Sequence, residues 1–399
     1  MTWQNVPLRR VFRIVNGGTP KAEEEYWGGG IPWATPVDVG AADCSYLFST
    51  ERTLTEEGVL AGSQTVPNAS LIVSTRAPIG YVAETTVRMA FNQGCRGLIA
   101  TTPIDSRYFR YQLLSRREDL IARGAGSTFL ELSTDALASL LLVNPPLDEQ
   151  RRIADFLDVE LTKNRALIIA RNRQIDVLNQ RQSAFERSAI AGGFSDAAID
   201  SGTPWIGKIN ERAALVPLQR IAQLQRGVDL TEEERQPGKV PVVTTAGING
   251  YHDKSIVRGP GVVVGRYGSA GSVHWIETDF WPHNTTLYVK QFNGNLPKYC
   301  YYVLRSIPYE MEQARAAVPG INRNDIHKRL MPLLPLDMQQ DVASQIDSYT
   351  DHTNTVIAAI RRSIDLLVEQ CHALITAAVT GKIDVTTARG FSPTGGVSA

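Results

Sequence analysis

Mostly apolar residues recur at alternating steps of four and three positions through residues 346–378. The series is Ile346, Thr350, Thr353, Ile357, Ile360, Ile364, Leu367, Cys371, Leu374 and Ala378. A seven-residue repeat of this kind is typical of a helix that pairs with another helix in a coiled coil. The surrounding residues 336–381 also match residues 147–192 without a gap, at an offset of 189. The chain therefore contains the same long helical pattern twice.

Each copy begins and ends with residues that favour helix termini. Asp148 and Asp337 suit N-terminal caps, and Gly192 and Gly381 suit the left-handed conformation that ends many helices. A helix of this length is a rod of about 65 Å that cannot bury its apolar stripe alone. We therefore predict that the two copies pair antiparallel, because each follows its own globular segment. The alternative is two independent helices on the surfaces of separate domains.

The predicted seam between the helices combines apolar residues from both copies. These residues are Leu157, Leu161, Ile168, Ile175, Leu178, Phe185, Ile346, Ile357, Ile360, Ile364, Leu367 and Leu374. Asn164, Arg171 and Gln182 interrupt the first copy. Polar seam residues weaken a coiled coil but help to define its register and its partner.

The helices divide the rest of the chain into two bodies of related sequence. The predicted segments are a first body at 1–146, the first long helix at 147–192, a linker at 193–212, a second body at 213–335, the second long helix at 336–383 and a disordered tail at 384–399. Residues 262–266 and 298–306 resemble residues 72–76 and 107–115, whereas residues 231–261 share little with residues 21–71. One fold was therefore duplicated, and parts of it then diverged.

Local patterns predict strands at residues 71–76 and 91–100 and a helix at residues 106–122. Arg76 and Arg266 are expected at equivalent strand ends, followed by turns at Gly80 and, after a one-residue insertion, Gly271. The predicted fold class is α+β. Two similar domains with twisted, mainly antiparallel sheets are separated by two long helices that form an antiparallel coiled coil, with a pseudo-twofold internal repeat.

Composition restricts the class of protein only mildly. The chain has 399 residues, of which 43% are hydrophobic and 21% charged, as in a soluble protein of two or three domains. No apolar run is long enough to span a membrane, so we expect a cytoplasmic protein without membrane contact. The four cysteines form no CxxC pair and no metal ligand spacing is present. Zero net charge argues mildly against a nucleic-acid binder, although basic residues can gather on one face.

Several short stretches, in this order, resemble the specificity subunit of type I restriction-modification systems. They are Gly17-Gly-Thr-Pro20, Tyr26-Trp-Gly-Gly-Gly-Ile-Pro-Trp33, Ser74-Thr-Arg-Ala-Pro-Ile-Gly80, Asn92-Gln-Gly94, Pro146-Leu-Asp-Glu-Gln150, Ser201-Gly-Thr-Pro-Trp-Ile-Gly207, Gly247-Ile-Asn-Gly-Tyr251, Gly265-Arg-Tyr-Gly-Ser269 and Trp281-Pro-His-Asn-Thr-Thr286. The second body departs from the first, since it has Arg226-Gly-Val-Asp229 and His283-Asn-Thr285 where the first has Gly-Gly-Thr-Pro and Asn-Gln-Gly.

The resemblance implies two target-recognition domains, each of which reads one half of a split double-stranded DNA target. It implies that the long helices space these domains and dock two methyltransferase subunits, which bind S-adenosylmethionine and methylate adenine. Separate motor-nuclease subunits that use ATP are also expected. The chain itself is then not an enzyme and needs no cofactor or metal.

Polar and aromatic residues in or beside the predicted loops are candidates for DNA contact. They are Lys21, Arg76, Asn92, Gln93, Arg226, Asn249, Arg266, Tyr267, His274 and Asn284. Asn and Gln suit adenine, whereas Lys and Arg suit guanine or phosphate. Each residue also has an ordinary alternative as a solvated loop residue, and Arg76 and Arg266 can instead stabilise their turns.

Two other functions remain open from the sequence. A methyltransferase in its own right is suggested by Asn144-Pro-Pro-Leu147, but this stretch lacks the aromatic residue that such enzymes carry, and no glycine-rich cofactor loop precedes it. A coiled-coil adaptor that binds only proteins fits the zero net charge. Salt-dependent DNA binding excludes the adaptor, and methyl transfer by the pure chain supports the enzyme.

Overall fold

The computed structural model describes residues 3–385, except 44, 125–130, 193, 195, 196, 204 and 310–319. The chain forms two compact units, Met1–Ala170 with Arg362–Ala399 and Arg171–Arg361. Both boundaries fall inside long helices, so each unit contains one end of each helix. The domain boundaries given above stay predictions, and the expected tail lies outside the described residues from residue 386 onward.

Each long helix is followed, two residues after its last residue, by a glycine in the left-handed conformation that the sequence predicts. The first and second long helices, of 44 residues each, are Leu147–Ile190 and Leu336–Val379. Gly192 and Gly381 follow them with φ angles of 64° and 71°, which glycine adopts without strain. A Cβ atom would lie 2.7 Å from the Asn210 side chain at Gly192 and 2.8 Å from the Trp3 ring at Gly381. Both conformation and close packing therefore favour glycine here.

Short strands and helices make up the bodies. The strands of the first body are Gln4–Pro7, Phe12–Asn16, Trp27–Ala34, Tyr46–Leu47, Thr53–Leu54, Thr65–Val66, Leu71–Ser74, Val82–Thr85, Met89–Phe91, Cys95–Ala100 and Leu141–Asn144. Its helices are Pro36–Ala41, Glu56–Gly62, Ser106–Ser115, Arg117–Gly124 and Thr134–Ala138, with 3-10 turns at Leu8–Arg10 and Glu24–Tyr26.

The linker and the second body follow the same plan. Their strands are Ala198–Asp200, Lys208–Asn210, Ala214–Pro217, Gln223–Arg226, Val240–Thr244, Gly247–His252, Gly261–Gly265, Val273–Ile276, Trp281–Pro282, Thr286–Gln291 and Leu330–Leu333. Their helices are Leu218–Ile221, Pro297–Arg305 and Arg323–Lys328. Of the helices in the described part of the chain, none combines the length and the apolar character that crossing a membrane requires.

The core sheets of the two bodies share four antiparallel strands. In the first body the sheet has five strands, in the order Phe12–Asn16, Cys95–Ala100, Leu71–Ser74, Val82–Thr85, Tyr46–Leu47, and the last of them is parallel to its neighbour. In the second body the order is Gln223–Arg226, Thr286–Gln291, Gly261–Gly265, Val273–Ile276. The register agrees as well, because Val73 lies opposite Val82 just as Val264 lies opposite Val273. The structure thus confirms the predicted α+β class and its internal repeat.

A second, smaller sheet differs between the bodies. In the first body it has four strands, in the order Thr53–Leu54, Trp27–Ala34, Met89–Phe91, Thr65–Val66. In the second body it has three, in the order Gly247–His252, Val240–Thr244, Trp281–Pro282. These strands include the stretches whose sequences diverge most, so the duplicated fold varies beside a constant core sheet.

Two local predictions are wrong because tertiary contacts interrupt the elements. The strand expected at 91–100 is broken because Met89–Phe91 pairs in the smaller sheet and Cys95–Ala100 pairs in the core sheet. In the turn between them, Asn92 Oδ1 accepts a hydrogen bond from the Gly94 amide at 2.9 Å. The helix expected at 106–122 is broken after Ser115. Beyond that break, the Arg117 guanidinium donates to the Gly80 carbonyl at 3.1 Å.

The long helices pack against each other in both units. In the first unit, Leu157 near the start of the first long helix shares an apolar core with Ile375 near the end of the second. In the second unit, Phe185 near the end of the first helix stacks on Tyr349 near the start of the second, with ring centroids 4.1 Å apart. The helices therefore pair antiparallel, and every residue of the predicted seam is buried or half-buried.

One buried tyrosine in each body contacts the last turn of a long helix. The tyrosine of the first body contacts the second helix, and the tyrosine of the second body contacts the first helix. The Tyr108 hydroxyl lies 3.1 Å from the carbonyl oxygen of Val379, the last residue of the second helix. The Tyr299 hydroxyl lies 3.0 Å from the carbonyl oxygen of Ile190, the last residue of the first helix. Each contact gives a partner to a carbonyl that the helix itself leaves unpaired.

A buried glutamine in each unit ties the start of a long helix to its body. Gln150 and Gln339 are only 2% and 1% exposed. Gln339 accepts a hydrogen bond from the Leu296 amide at 2.8 Å and donates to the Leu334 carbonyl and the Asn295 side chain, both at 2.9 Å. Gln150 makes the matching set of bonds in the first unit.

We expect Gln339→Ala to lower the free energy of unfolding of the second unit by about 1–3 kcal/mol, because buried polar groups lose their partners. Urea unfolding followed by circular dichroism measures this change. Gln340→Ala is the matched control, since Gln340 is exposed and surface substitutions usually change stability by less than about 0.5 kcal/mol. Equal destabilisation by both variants would contradict the role of Gln339.

Candidate DNA interface

The Gly-Gly-Thr-Pro and Asn-Gln-Gly stretches of the first body lie against each other. The Gly18 amide donates to the Phe91 carbonyl at 3.0 Å, and the Thr19 hydroxyl donates to the Gln93 side chain. A Cβ atom on Gly17 would lie 1.9 Å from the Asn92 carbonyl oxygen, so only glycine permits this approach. Two stretches that are distant in the sequence therefore form one surface, called the first polar surface below.

The candidate residues of the first polar surface differ in their exposure and in the contacts that they already make. Gln93 is exposed, whereas Asn92 is half-buried and already uses its Oδ1 atom to accept from Gly94. The Lys21 side chain follows the Gly-Gly-Thr-Pro turn, is 84% exposed and lies 3.9 Å from Glu23. Gln93 and Lys21 are thus accessible to a ligand, and Asn92 shapes the turn between them and the core sheet.

Arg76 lies beside the first polar surface and is paired with an acid. Its backbone amide donates to the Gly94 carbonyl at 3.2 Å. Its Nε atom lies 3.2 Å from Glu131, which also lies 3.6 Å from Arg96. This ion pair supports a structural role for Arg76, and a DNA contact by the same residue stays a prediction.

Sequence reasoning missed Arg52, which stacks on an aromatic pair in the first body. Its guanidinium carbon lies 3.6 Å from the ring centroid of Trp27 and 5.2 Å from that of Trp33. The indole N–H groups donate to the carbonyls of Lys21 and Gly18, which anchors the loop that carries Lys21. The pairing of two strands brings Arg52 here, and no local motif predicts that pairing.

In the second body, Thr245 joins the segments that carry three candidates. Its hydroxyl donates to the Thr285 carbonyl at 3.0 Å, and its own carbonyl lies 2.9 Å from Nε2 of His274. The Arg266 amide donates to the same Thr285 carbonyl at 2.9 Å. Because Asn284 precedes Thr285, the segments of Arg266, His274 and Asn284 meet around Thr245.

The remaining candidates of the second body are exposed. Arg226 ends a core strand, and Tyr267 has its ring centroid 4.5 Å from the guanidinium carbon of Arg266. Asn249 lies in the hairpin strand Gly247–His252, where its carbonyl accepts from Arg235 at 2.9 Å. The structure thus groups most candidates of each body and leaves Asn249 on a neighbouring hairpin.

Arg76 and Arg266 do not occupy equivalent positions, so that prediction is wrong. The Leu132 amide donates to the Thr75 carbonyl at 2.8 Å, and the Ile321 amide donates to the Arg266 carbonyl at 3.0 Å. Arg266 therefore matches Thr75, because the one-residue insertion precedes the arginine. Backbone register, rather than residue identity, determines which positions correspond.

Metal or thiol chemistry finds no support in the described residues. Within them, no three His, Cys, Asp or Glu side chains are arranged to hold a metal ion. Cys95 and Cys300 are buried in the two bodies, and burial raises the pKa of both thiols to about 12. Such thiols stay protonated near neutral pH and pack as small apolar groups.

The chain belongs to the family of type I restriction modification DNA specificity domains, whose model matches residues 1–176 and 215–366. The two matched segments correspond to the two halves of the repeat, so both halves carry the family's pattern.

Named relatives agree with this family. The chain is 34% identical over 159 residues to the type I restriction enzyme MjaIX specificity subunit from Methanocaldococcus jannaschii, a match that covers 39% of this chain and 37% of that relative. It is 21% identical over 370 residues to the EcoprrI specificity subunit from Escherichia coli, which covers 89% of this chain and 90% of the relative. The similarity thus extends along most of the chain in one relative and over about two fifths of it in the other.

A solved structure supports the same fold. It comes from work on complex assembly and conformational transition of the type I R-M system, and it aligns with a TM-score of 0.71 over 96% of this chain and 98% of that chain. Sequence identity is only 13%, so the likeness is one of fold.

We expect His327 to make the stability of the second unit depend on pH. Its Nε2 atom accepts a hydrogen bond from the Leu224 amide at 2.9 Å, which requires an unprotonated nitrogen. Burial, and secondly the charge of Arg323, lower the pKa of His327 below its ordinary value of 6.5. As the pH falls below 6.5, the unfolded chain binds the proton first, so the free energy of unfolding falls.

We expect this protonation to cost the second unit about 1 kcal/mol, the value of one hydrogen bond. Urea unfolding above and below pH 6.5 measures it. His327→Gln should remove this part of the pH dependence, and His352→Gln, at an exposed position, should retain it. An unchanged pH dependence in His327→Gln would refute the assignment.

Proposed function

We propose that the chain is the DNA-reading subunit of a type I restriction-modification complex and that each body reads one half of a split target. The main support is the contrast between the bodies. Their core sheets share strand order and register, whereas the smaller sheets and the polar loops differ. Two readers of one fold with different loops suit a target whose halves differ in sequence.

The proposal gives the candidate residues different parts in reading DNA. Gln93, Asn92, Asn249 and Asn284 approach base edges, because their amide groups match the donor and acceptor pattern of adenine. His274 approaches through its Nδ1 atom, since its Nε2 atom lies against the Thr245 carbonyl. Lys21, Arg76, Arg226 and Arg266 contact phosphates or guanine, and Tyr267 packs against the duplex. The accessible polar groups of the first polar surface and of the loops around Thr245 support this division.

The paired long helices act as a spacer between the two readers. Each unit holds the start of one helix through a buried glutamine and the end of the other through a buried tyrosine. Such attachment at both ends suits a rigid connection. The distance between the two half-sites then depends on helix length, as dimer geometry determines half-site spacing in other DNA readers.

The helices also dock the partner subunits. Large apolar side chains remain exposed on the first long helix, namely Val159, Leu167, Ile169 and Val177, and on the second, namely Leu336, Leu366 and Val368. Exposed apolar groups on a helix are suited to a protein partner. Two methyltransferase subunits bring S-adenosylmethionine and extrude the target adenines, and motor-nuclease subunits bring ATP. The chain itself contributes recognition and no catalytic centre.

Lengthening both long helices tests the spacer. Inserting seven residues after Ala170 and seven after Arg361 preserves the seam and adds about 10 Å. The gap between the half-sites should grow by about three base pairs, since base pairs are about 3.4 Å apart. Mapping methylated adenines in cells that express the complex measures the gap.

The matched control places seven glycine and serine residues in the linker, after residue 203. This change lengthens the chain without lengthening either helix, so the gap should stay the same. If the variant with lengthened helices still methylates DNA and the gap between its half-sites is unchanged, the helices do not act as the spacer.

Exchanging one body tests whether the half-sites are read separately. Residues 1–170 and 362–399 from another specificity subunit should replace the first unit together, because Tyr108 contacts Val379 at the end of the second helix. We expect one half of the methylated target to change and the other half to stay. The reciprocal exchange of residues 171–361 is the control, and a change in both halves after either exchange would contradict separate reading.

A further inference from the structure

Three arginines line one groove of about 220 Å³ in the second body. The lining residues are Arg226, Arg266, Leu287, Asn322, Arg323 and Asn324. The arginines come from the end of a strand, the turn after another strand and the start of a short helix. Among the described residues, no aspartate or glutamate lines this groove, and the neighbouring Asp325 is outside its lining.

Strand register identifies the corresponding place in the first body. Arg226 lies opposite Leu287 as Asn16 lies opposite Arg96. Arg266 corresponds to Thr75, as described above. The helices Arg323–Lys328 and Thr134–Ala138 both begin after a capping residue, so Arg323 corresponds to Thr134. Neutral residues therefore stand in the first body at the three arginine positions of the second.

The first body has two arginines at this place, Arg76 and Arg96, and pairs both with Glu131. Arg96 lies 3.6 Å from Glu131, and its guanidinium donates to the Thr134 hydroxyl at 3.1 Å and to the Gln93 carbonyl at 2.9 Å. In the second body, Gly320 occupies the position that corresponds to Glu131. It directly precedes Ile321, whose amide donates to the Arg266 carbonyl. A Cβ atom on Gly320 would lie 2.6 Å from the Tyr267 ring, so a glutamate there would require the ring to move.

Three guanidinium groups around one small groove repel each other unless an anion lies between them. Arginine presents its donors in a planar fork that matches the oxygens of a phosphate group. The Tyr267 ring lies 4.5 Å from the Arg266 guanidinium carbon, which reduces the freedom of that side chain before a ligand arrives. The asparagines supply further donors at the same edge.

We propose that the groove of Arg226, Arg266 and Arg323 binds a backbone phosphate of duplex DNA, and that the first body has no equivalent site. This inference rests on the proposed function and deepens it. The second body then supplies a sequence-independent contact that the first body lacks, so the two readers contribute unequally to the electrostatic part of binding. Arg323 becomes a positioning residue for DNA that sequence reasoning did not identify.

The test measures the salt dependence of DNA binding by the full chain with its methyltransferase subunits. Two duplexes are used, one that contains the mapped target and one that does not. The triple variant Arg226→Gln/Arg266→Gln/Arg323→Gln should reduce the slope of log K against log salt by about 0.9, the value of one phosphate contact, and each single variant should reduce it by part of that amount. Each should weaken binding to both duplexes by the same factor, since a phosphate contact carries no base information.

Arg258→Gln and Arg220→Gln are the matched controls. Both residues are exposed arginines of the same unit, and Arg258 precedes the strand whose far end leads to Arg266. The controls should keep the wild-type slope. Thermal unfolding of every variant checks that the second unit remains folded, so that a loss of binding reports the groove.

Several outcomes would overturn the inference while leaving the proposed function intact. A wild-type slope in all three groove variants would remove the phosphate contact, and a loss limited to the target duplex would indicate base reading instead. A further outcome is that inorganic phosphate stabilises the wild type but not the triple variant, while all variants keep the wild-type slope of log K for DNA binding against log salt. That result would indicate a site for free anions instead of DNA. A wild-type complex that methylates no split target would remove the proposed function and the inference together.

Discussion

The structure depends on the burial of two apolar helix stripes that neither long helix can cover alone. Each helix solves this by pairing with the other, and each unit adds polar contacts at the helix ends. Tyr108 holds the end of the second helix, and Tyr299 holds the end of the first. The first unit therefore includes residues from both ends of the chain, so it cannot be completed until the last helix has been made.

This arrangement separates the parts of the protein that must stay constant from those that must vary. The core sheet and the helix attachments recur with the same register and the same residue types, as Gln150 and Gln339 illustrate. The smaller sheets lie outside this constant part, and they contain the stretches whose sequences differ most. A body can then acquire new loops without losing the contacts that hold it to the helices.

The arginines are arranged differently in the two bodies, so the net charge of the whole chain is a weak guide to function. The chain is neutral as a whole, yet Arg76 and Arg96 share one glutamate while Arg226, Arg266 and Arg323 line a groove without one. Electrostatic attraction to DNA acts over about 8 Å in physiological salt. The local arrangement of arginines therefore matters more than their number.

The sequence by itself determined the long helices, their glycine ends, the duplication and the family, because heptads, caps and short motifs act over a few neighbouring residues. It did not determine the turn at Asn92, the break after Ser115 or the match of Arg266 with Thr75. Only the tertiary structure decided these features and the grouping of the three groove arginines. They depend on strand register and on contacts between residues far apart in the chain, which no local pattern encodes.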